Sequence, residues 1–194
     1  MKNIVVFASG SGSNFQAIIN AVEDGRIHAE ITGLIASKPD IGAIKKAETA
    51  KIPYQIIRRP DFDNESQFTE ALLTTLSKWN PDLIVLAGYM VRLPEEIIRK
   101  YPKRIINIHP SLLPKYGGKG YYGLKVHQAV LESGDHETGC SVHYVNEIYD
   151  DGPVIKQTKV PVLPDDTPHS LSERVLKEEH KLLPAVINKL LTQN

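Results

Sequence analysis

The sequence predicts an α/β fold of Rossmann-like form: a mostly parallel, twisted sheet with helices on both faces, C-terminal antiparallel strands and a long C-terminal helix. Three observations carry that prediction. Short β-branched runs alternate with stretches of helical period from the first residues onward. Leu83-Ile-Val-Leu-Ala87 is apolar without interruption, as a strand buried on both faces must be. The last two strand-like runs are separated by a turn around Asp150-Asp-Gly152, which marks an antiparallel pair.

Each element follows from local chemistry. Asn3–Ala8 is a β-branched strand, and the turn cluster Ser9-Gly-Ser-Gly-Ser13 follows it. Phe15, Ile18, Ile19 and Val22 then fall on one helical face, and Gly25 stands where that helix stops. Ile31–Ala36 reads as a strand, Ala43–Lys51 as a helix and Pro53–Ile57 as a short strand. Ser66–Trp79 is helical, with Phe68, Leu72, Leu73 and Leu76 on one face, and Pro81 ends it. After the buried strand, Pro94–Tyr101 is a short helix with proline in its first turn, and Ile105–Ile108 is the next strand. Pro110–Gly123 loses its periodicity and reads as a loop, and a short helix takes in Ala129–Glu132. Gly139–Val145 and Pro153–Val162 are strands, and Ser170–Leu191 is an amphipathic helix expected to be interrupted or kinked at Pro184.

The chain has 194 residues, of which 41% are hydrophobic and 24% charged, and reads as one globular domain over 1–194. At this size roughly 70% of the unfolded surface is buried, so no disulfide or metal staple is needed. The lone Cys140 has no internal disulfide partner and suits a reducing compartment. Met1 leads straight into a strand and no apolar stretch nears the roughly 18 residues of a membrane span. A cytoplasmic protein without a membrane is therefore expected. The formal net charge is zero, which argues against a general nucleic-acid binder. That zero is unevenly spread. Residues 97–131 hold Arg99, Lys100, Lys103, Arg104, Lys115, Lys119 and Lys125 without an acid, and 132–155 hold Glu132, Asp135, Glu137, Glu147, Asp150 and Asp151 without Lys or Arg. The blocks read equally as separate solvated faces or as a polarised site for an anion.

Three constellations carry chemistry. Gly12, Ser13 and Asn14 lie where a glycine-rich turn meets the first helix, so backbone N–H groups and a helix N-terminus converge. That suits a phosphate, although a plain turn capped by Ser13 explains the residues too. The third glycine of a dinucleotide fingerprint is missing, and there is no Walker lysine. Asn107 and His109 alternate at a strand end, where open parallel sheets bind ligands. An amide there suits an oxyanion and an imidazole suits proton transfer. Asp150, in Asp150-Asp-Gly-Pro153, is either part of a plain turn or a carboxylate that favours the charged form of His109. The stretch Gly88–Leu93 reads equally as a pocket lining or a connection. No metal is expected, since His127, His136 and His143 lack ligand spacing. Ser111 is not in a hydrolase elbow.

In order along the chain, Ser9-Gly-Ser-Gly-Ser-Asn14, Leu86-Ala-Gly-Tyr-Met90, Asn107-Ile-His-Pro-Ser-Leu-Leu-Pro114 and Asp150-Asp-Gly-Pro153 resemble the folate-dependent phosphoribosylglycinamide formyltransferases of the formyltransferase superfamily. The resemblance implies formyl transfer from 10-formyltetrahydrofolate to the amine of glycinamide ribonucleotide in purine biosynthesis. It implies small-molecule substrates, no nucleic acid, and a monomer or homodimer. Gly12, Ser13 and Asn14 would hold the substrate phosphate, and Glu179 would contact the ribonucleotide. Met90, Val91, Arg92 and Leu93 would contact the folate, Asn107 would bind the formyl oxygen, His109 would donate the proton, and Asp150 would raise its pKa. The sequence departs from the pattern in three places: the loop Gly117–Gly123 is longer than in many members, Glu65 stands where a basic residue is common, and Val91 precedes an arginine displaced to Arg92. A non-catalytic nucleotide-binding module would use the serine-glycine loop but has no need of Asn107, His109 and Asp150.

Overall fold

The computed structural model describes residues 1–193. Its strands are β1 (Lys2–Ala8), β2 (Ala29–Ala36), β3 (Tyr54–Ile56), β4 (Leu83–Leu86), β5 (Ile105–His109), β6 (Glu137–Tyr144) and β7 (Val154–Pro161). They form one seven-stranded sheet in the order β3-β2-β1-β4-β5-β6-β7. The first five neighbours run parallel, and β6 is antiparallel to both β5 and β7. The chain leaves β1 toward one edge of the sheet and returns to β4 on the other side. That switch point opens a crevice at the carboxyl ends of β1 and β4.

The helices are α1 (Ser13–Glu23), α2 (Gly42–Thr49), α3 (Glu65–Trp79), α4 (Glu95–Lys100), α5 (Leu124–Glu132) and α6 (Pro168–Thr192). Because side chains alternate along a strand, β1 feeds two cores. Ile4, Val6 and Ala8 pack with Phe15 and Ile18 of α1 and with Leu171, Val175 and Val186 of α6. Val5 and Phe7 face the other way, against Phe68, Leu72 and Leu76 of α3 and Ile97 of α4. Each such large apolar side chain contributes roughly 1.5–3 kcal/mol by burial.

One element extends the expected segment and another differs from expectation. The fifth helix starts at Leu124, ahead of the Ala129–Glu132 segment the sequence marks. Gly123, at φ 53°, turns the chain into the helix, and Val126 and Val130 then pack one turn apart in the core. The last helix runs unbroken from Pro168 to Thr192, with Pro184 buried inside it. Proline removes one backbone donor there, but Leu182, Leu183, Val186 and Ile187 bury this stretch and hold it helical. Among the described residues, no helix is long and apolar enough to cross a membrane.

Candidate active site

β5 carries Asn107 and His109 to the carboxyl edge of the sheet, and antiparallel pairing with β6 sets Asn107 opposite His143 and His109 opposite Ser141. Asp150 arrives on the turn after β6, with φ 54°, in the left-handed region that non-glycine residues adopt only when held. Its carboxylate spans the group. Oδ1 accepts from Asn107 Nδ2 at 3.3 Å and lies 3.6 Å from His143 Nε2. Oδ2 accepts from the Gly118 N–H at 3.0 Å and lies 3.5 Å from His109 Nδ1. The other nitrogen of His109, Nε2, is 2.7 Å from the Tyr116 carbonyl. A carbonyl only accepts, so Nε2 carries a proton and Nδ1 is left facing Asp150.

His143 is oriented in the same way. Its Nδ1 is 2.9 Å from the Tyr144 carbonyl and must donate. Nε2 is the nitrogen left to accept, and Asn107 Nδ2 lies 3.1 Å away to supply the bond. Both amide hydrogens of Asn107 are thus engaged, one on His143 and one on Asp150. The sequence marks His143 only as a candidate metal ligand. Its period-two position on β6 was legible, but its place beside Asn107 depends on the β5–β6 register.

Burial sets the electrostatics. It lowers the His109 imidazole below its ordinary value; Asp150 and the Tyr116 carbonyl pull it back up without cancelling the burial, and His143 adds to the lowering. For Asp150 burial acts upward, but the nearby His143 and His109 imidazoles and the Gly118 N–H together hold the carboxyl below its usual range.

A cleft of about 710 Å³ joins these groups to the N-terminal loop and the last helix: Asn14, Met90, Asn107, His109, Asp150 and Glu179 all line it. Glu179 is only 6% exposed and accepts from Asn14 Nδ2 at 2.7 Å. Burial pushes its carboxyl up to about 7, against the pull of that bond. Asn14 Oδ1 is buried and has no partner. His127 of α5 also lines the cleft, and burial, helped by His109, lowers its imidazole to about 4. Lys38 and Lys119 bring cations to the same walls.

The remaining sequence candidates lie beside this cleft. Gly12, not Ser13, is the N-cap of α1, at φ 73°, and no side chain caps the helix or places an acid in its first turn. A Cβ at Gly12 would come within 2.7 Å of Ala43 Cα, so only glycine fits. The first N–H groups of α1 therefore stand open. Ser13 lines an adjoining groove of about 390 Å³ with Ser11, Arg26 and Lys46. The stretch Met90–Leu93 divides. Met90 lines the large cleft, its backbone N–H bonded to Ser9 Oγ at 2.8 Å. Val91, Arg92 and Leu93 line a second, largely apolar cavity of about 80 Å³ that shares Asn107 and Asp150 with the cleft. The Arg92 guanidinium donates to the Glu147 carbonyl at 3.1 Å. Glu65 heads α3 and lines neither cavity.

The charge blocks resolve into separate parts. Arg99 and Lys100 sit in the last turn of α4, Arg104 stacks over Tyr101, Lys115 pairs with Asp135, and Lys119 alone of these lines the cleft. Among the described residues, no group of three or more His, Cys, Asp or Glu is placed to hold a metal ion.

The sequence model of the family described as "Formyl transferase" matches residues 2–187. The chain is 42% identical over 190 residues to the chloroplastic phosphoribosylglycinamide formyltransferase of Arabidopsis thaliana, covering 97% of this chain and 65% of that protein. It thus spans just under two thirds of the plant relative's length. It is 40% identical over 186 residues to the phosphoribosylglycinamide formyltransferase of Escherichia coli, covering 96% of this chain and 85% of that one. The crystal structure of glycinamide ribonucleotide transformylase 1 from Geobacillus kaustophilus superposes with a TM-score of 0.92 at 38% identity, over 98% of this chain and 99% of that one.

Proposed function

The chain belongs to the formyl transferase family, and from that premise we propose that it transfers a formyl group from 10-formyltetrahydrofolate to the amine of glycinamide ribonucleotide, a step of purine biosynthesis. The observation that carries this reading is the meeting of Asn107, His109 and Asp150 where the large cleft and the smaller cavity join. We take residues 1–194 as one catalytic domain working on small molecules in the cytoplasm.

The chemistry needs two binding regions and one reacting point. The open N–H groups of α1 at Gly12, Ser13 and Asn14 suit the phosphate of the ribonucleotide, and Glu179 with Asn14 suits its sugar hydroxyls. The apolar walls of Leu86, Val91, Leu93, Ile98 and Val145 fit the flat heterocycle of the folate, which supplies the formyl group. Asn107 and Asp150, common to both regions, then mark where the amine and the formyl carbon meet.

The amine adds to the formyl carbon, the new C–N bond forms, and the bond to the folate nitrogen breaks. The amine loses one proton and the folate nitrogen gains one, so the exchange balances without a covalent enzyme intermediate. As negative charge grows on the formyl oxygen, Asn107 Nδ2 and protonated His109 Nδ1 meet it. Both now face Asp150 at 3.3 and 3.5 Å; these long contacts yield to the incoming oxygen more readily than the 2.7 Å Tyr116 bond. Asp150 favours the charged imidazole.

The experiment is turnover of Asn107→Ala and His109→Ala with both substrates. Each variant should keep the fold and lose on the order of 10²–10³ in kcat. Near-normal turnover in either rejects the assignment.

A further inference from the structure

The segment from Lys115 to Gly118 touches both members of the His109–Asp150 pair. The Tyr116 carbonyl accepts from His109 Nε2 at 2.7 Å, and the Gly118 N–H donates to Asp150 Oδ2 at 3.0 Å. Gly117 between them lies so close that a Cβ would stand 3.3 Å from Asp150 Cβ and 2.6 Å from Leu113 Cδ2. Tyr116 itself sits at φ 54°, a strained setting for a tyrosine that must be held from outside. What holds it is at the far end of the side chain. The Tyr116 hydroxyl donates to Asp135 Oδ2 at 2.9 Å and meets Ser133 Oγ at the end of α5. The neighbouring Lys115 ammonium donates to both oxygens of Asp135, at 3.2 and 3.0 Å. Nothing in the formyl-transfer chemistry uses Asp135, which lines a separate groove with Lys115 and His136.

We propose that Asp135 is a positioning residue: by holding the Tyr116 hydroxyl it fixes residues 116–118, so that His109 keeps its Nε2 proton on the Tyr116 carbonyl and presents Nδ1 as the nitrogen that exchanges a proton with the substrate. The proton balance follows. His109 enters with both nitrogens protonated, gives the Nδ1 proton to the developing oxyanion, retains the Nε2 proton throughout, and recovers one on Nδ1 as the amine is deprotonated; the hydroxyl proton of the intermediate then passes to the folate nitrogen as its bond to carbon breaks and the carbonyl re-forms. The charged and titratable groups around the ring are Asp150 on the turn after β6, His143 on β6 and His127 on α5. The hydrogen bond at Nε2 is to the Tyr116 carbonyl and Asp150 faces Nδ1, so the tautomer rests on that carbonyl.

This inference rests on the formyl-transfer reading, and its test separates the two. Tyr116→Phe removes only the hydroxyl, Asp135→Asn removes the charge, and Asp135→Glu is the conservative rescue. Steady-state kinetics are measured across pH, and the His109 tautomer is read by nitrogen NMR of histidine-labelled protein. Tyr116→Phe and Asp135→Asn should lower kcat roughly three- to tenfold with KM for both substrates held within about twofold, the loss of one hydrogen bond's worth of positioning. The apparent pKa of the kcat profile should move down, since a loosened carbonyl no longer favours the charged ring. The neutral ring should change from Nε2–H alone to a mixture of tautomers, and Asp135→Glu should restore most of each property. Wild-type kcat, pH profile and tautomer in the folded Tyr116→Phe and Asp135→Asn proteins overturn the inference. So does a loss of activity that follows lowered Tm with the tautomer unchanged. Absence of turnover in the wild-type protein would reject the formyl-transfer reading, while a tautomer change in Asp135→Asn would still support the positioning role.

Discussion

Asp150 is one carboxylate with four neighbours: Asn107, His109, His143 and the Gly118 N–H. Two of these contacts bear on the proton that His109 would carry. Asp150→Asn removes the strongest upward pull on a ring that burial already lowers, so its pKa falls further. The active fraction carrying a proton on His109 is then confined to lower pH. The kcat profile of Asp150→Asn should show its alkaline limb displaced to lower pH, with turnover near neutrality reduced more than tenfold on the scale of general-acid contributions, roughly 10²–10⁴. An unchanged limb, measured by kcat against pH, would show that Asp150 does not tune His109. Asn107 and His109 were legible in the sequence because period-two spacing at a strand end puts both on one side. His143 was not, because only the antiparallel register brings it to Asn107. The Tyr116 carbonyl was beyond reach for another reason: a backbone acceptor carries no mark in residue type.

At the level of elements, α6 depends on how it begins. Thr167 and Ser170 form a reciprocal cap, Ser170 N donating to Thr167 Oγ1 at 3.2 Å and Thr167 N to Ser170 Oγ at 2.9 Å. Asp166 secures it: the Arg174 guanidinium donates to its two oxygens at 2.6 and 2.8 Å, and its carboxylate also accepts from the Leu163 N–H and Ser170 Oγ. Those bonds, Arg174 first, hold the carboxyl below its ordinary range. A carboxylate with a depressed folded value stabilises fully above the unfolded value near 4 and loses that contribution as the pH falls below it. Asp166→Ala should therefore cost about 2 kcal/mol at neutral pH, the scale of hydrogen bonds to charged groups. The difference from wild type, followed by denaturant unfolding, should shrink on acidification. A difference that does not vary with pH would place the effect elsewhere. The period of α6 was legible throughout, but its continuity past Pro184 was not, since core packing on both sides outweighs one missing donor. The start of α5 was hidden by a glycine- and tyrosine-rich approach that only the left-handed Gly123 turns into a helix.

At the scale of the molecule, the Asn14–Glu179 bond ties residues 165 positions apart and joins the N-terminal loop to the last helix across the cleft. The chain's net charge of zero gives no hint of this. The site is built from buried single groups rather than from a charged face, and the parallel sheet that gathers them was legible from the alternation of strands and helices. Burial raises Glu179 to about 7. An acid raised in this way stabilises fully below its unfolded value near 4.3, and that contribution is lost as the pH climbs through the folded value. Glu179→Gln keeps an acceptor for Asn14 and removes the titration. Its Tm above neutral pH should exceed that of wild type by about 4–8 °C, corresponding to about 2 kcal/mol in a chain of this size, and the two should converge in mild acid. Equal Tm values at every pH would show that Glu179 is not buried as a titrating acid. The same variant should weaken ribonucleotide binding, measured by calorimetry, if the carboxylate grips a sugar hydroxyl.

In the proposed reaction one reacting point, shared by the cleft and the smaller cavity, moves a formyl group between two small molecules. Mixing the protein with 10-formyltetrahydrofolate bearing an isotopically labelled formyl carbon and with glycinamide ribonucleotide tests it directly. The label should appear on the ribonucleotide amine in equal amount to the tetrahydrofolate released. Label recovered as free formate, or none transferred while the ribonucleotide binds, would contradict it.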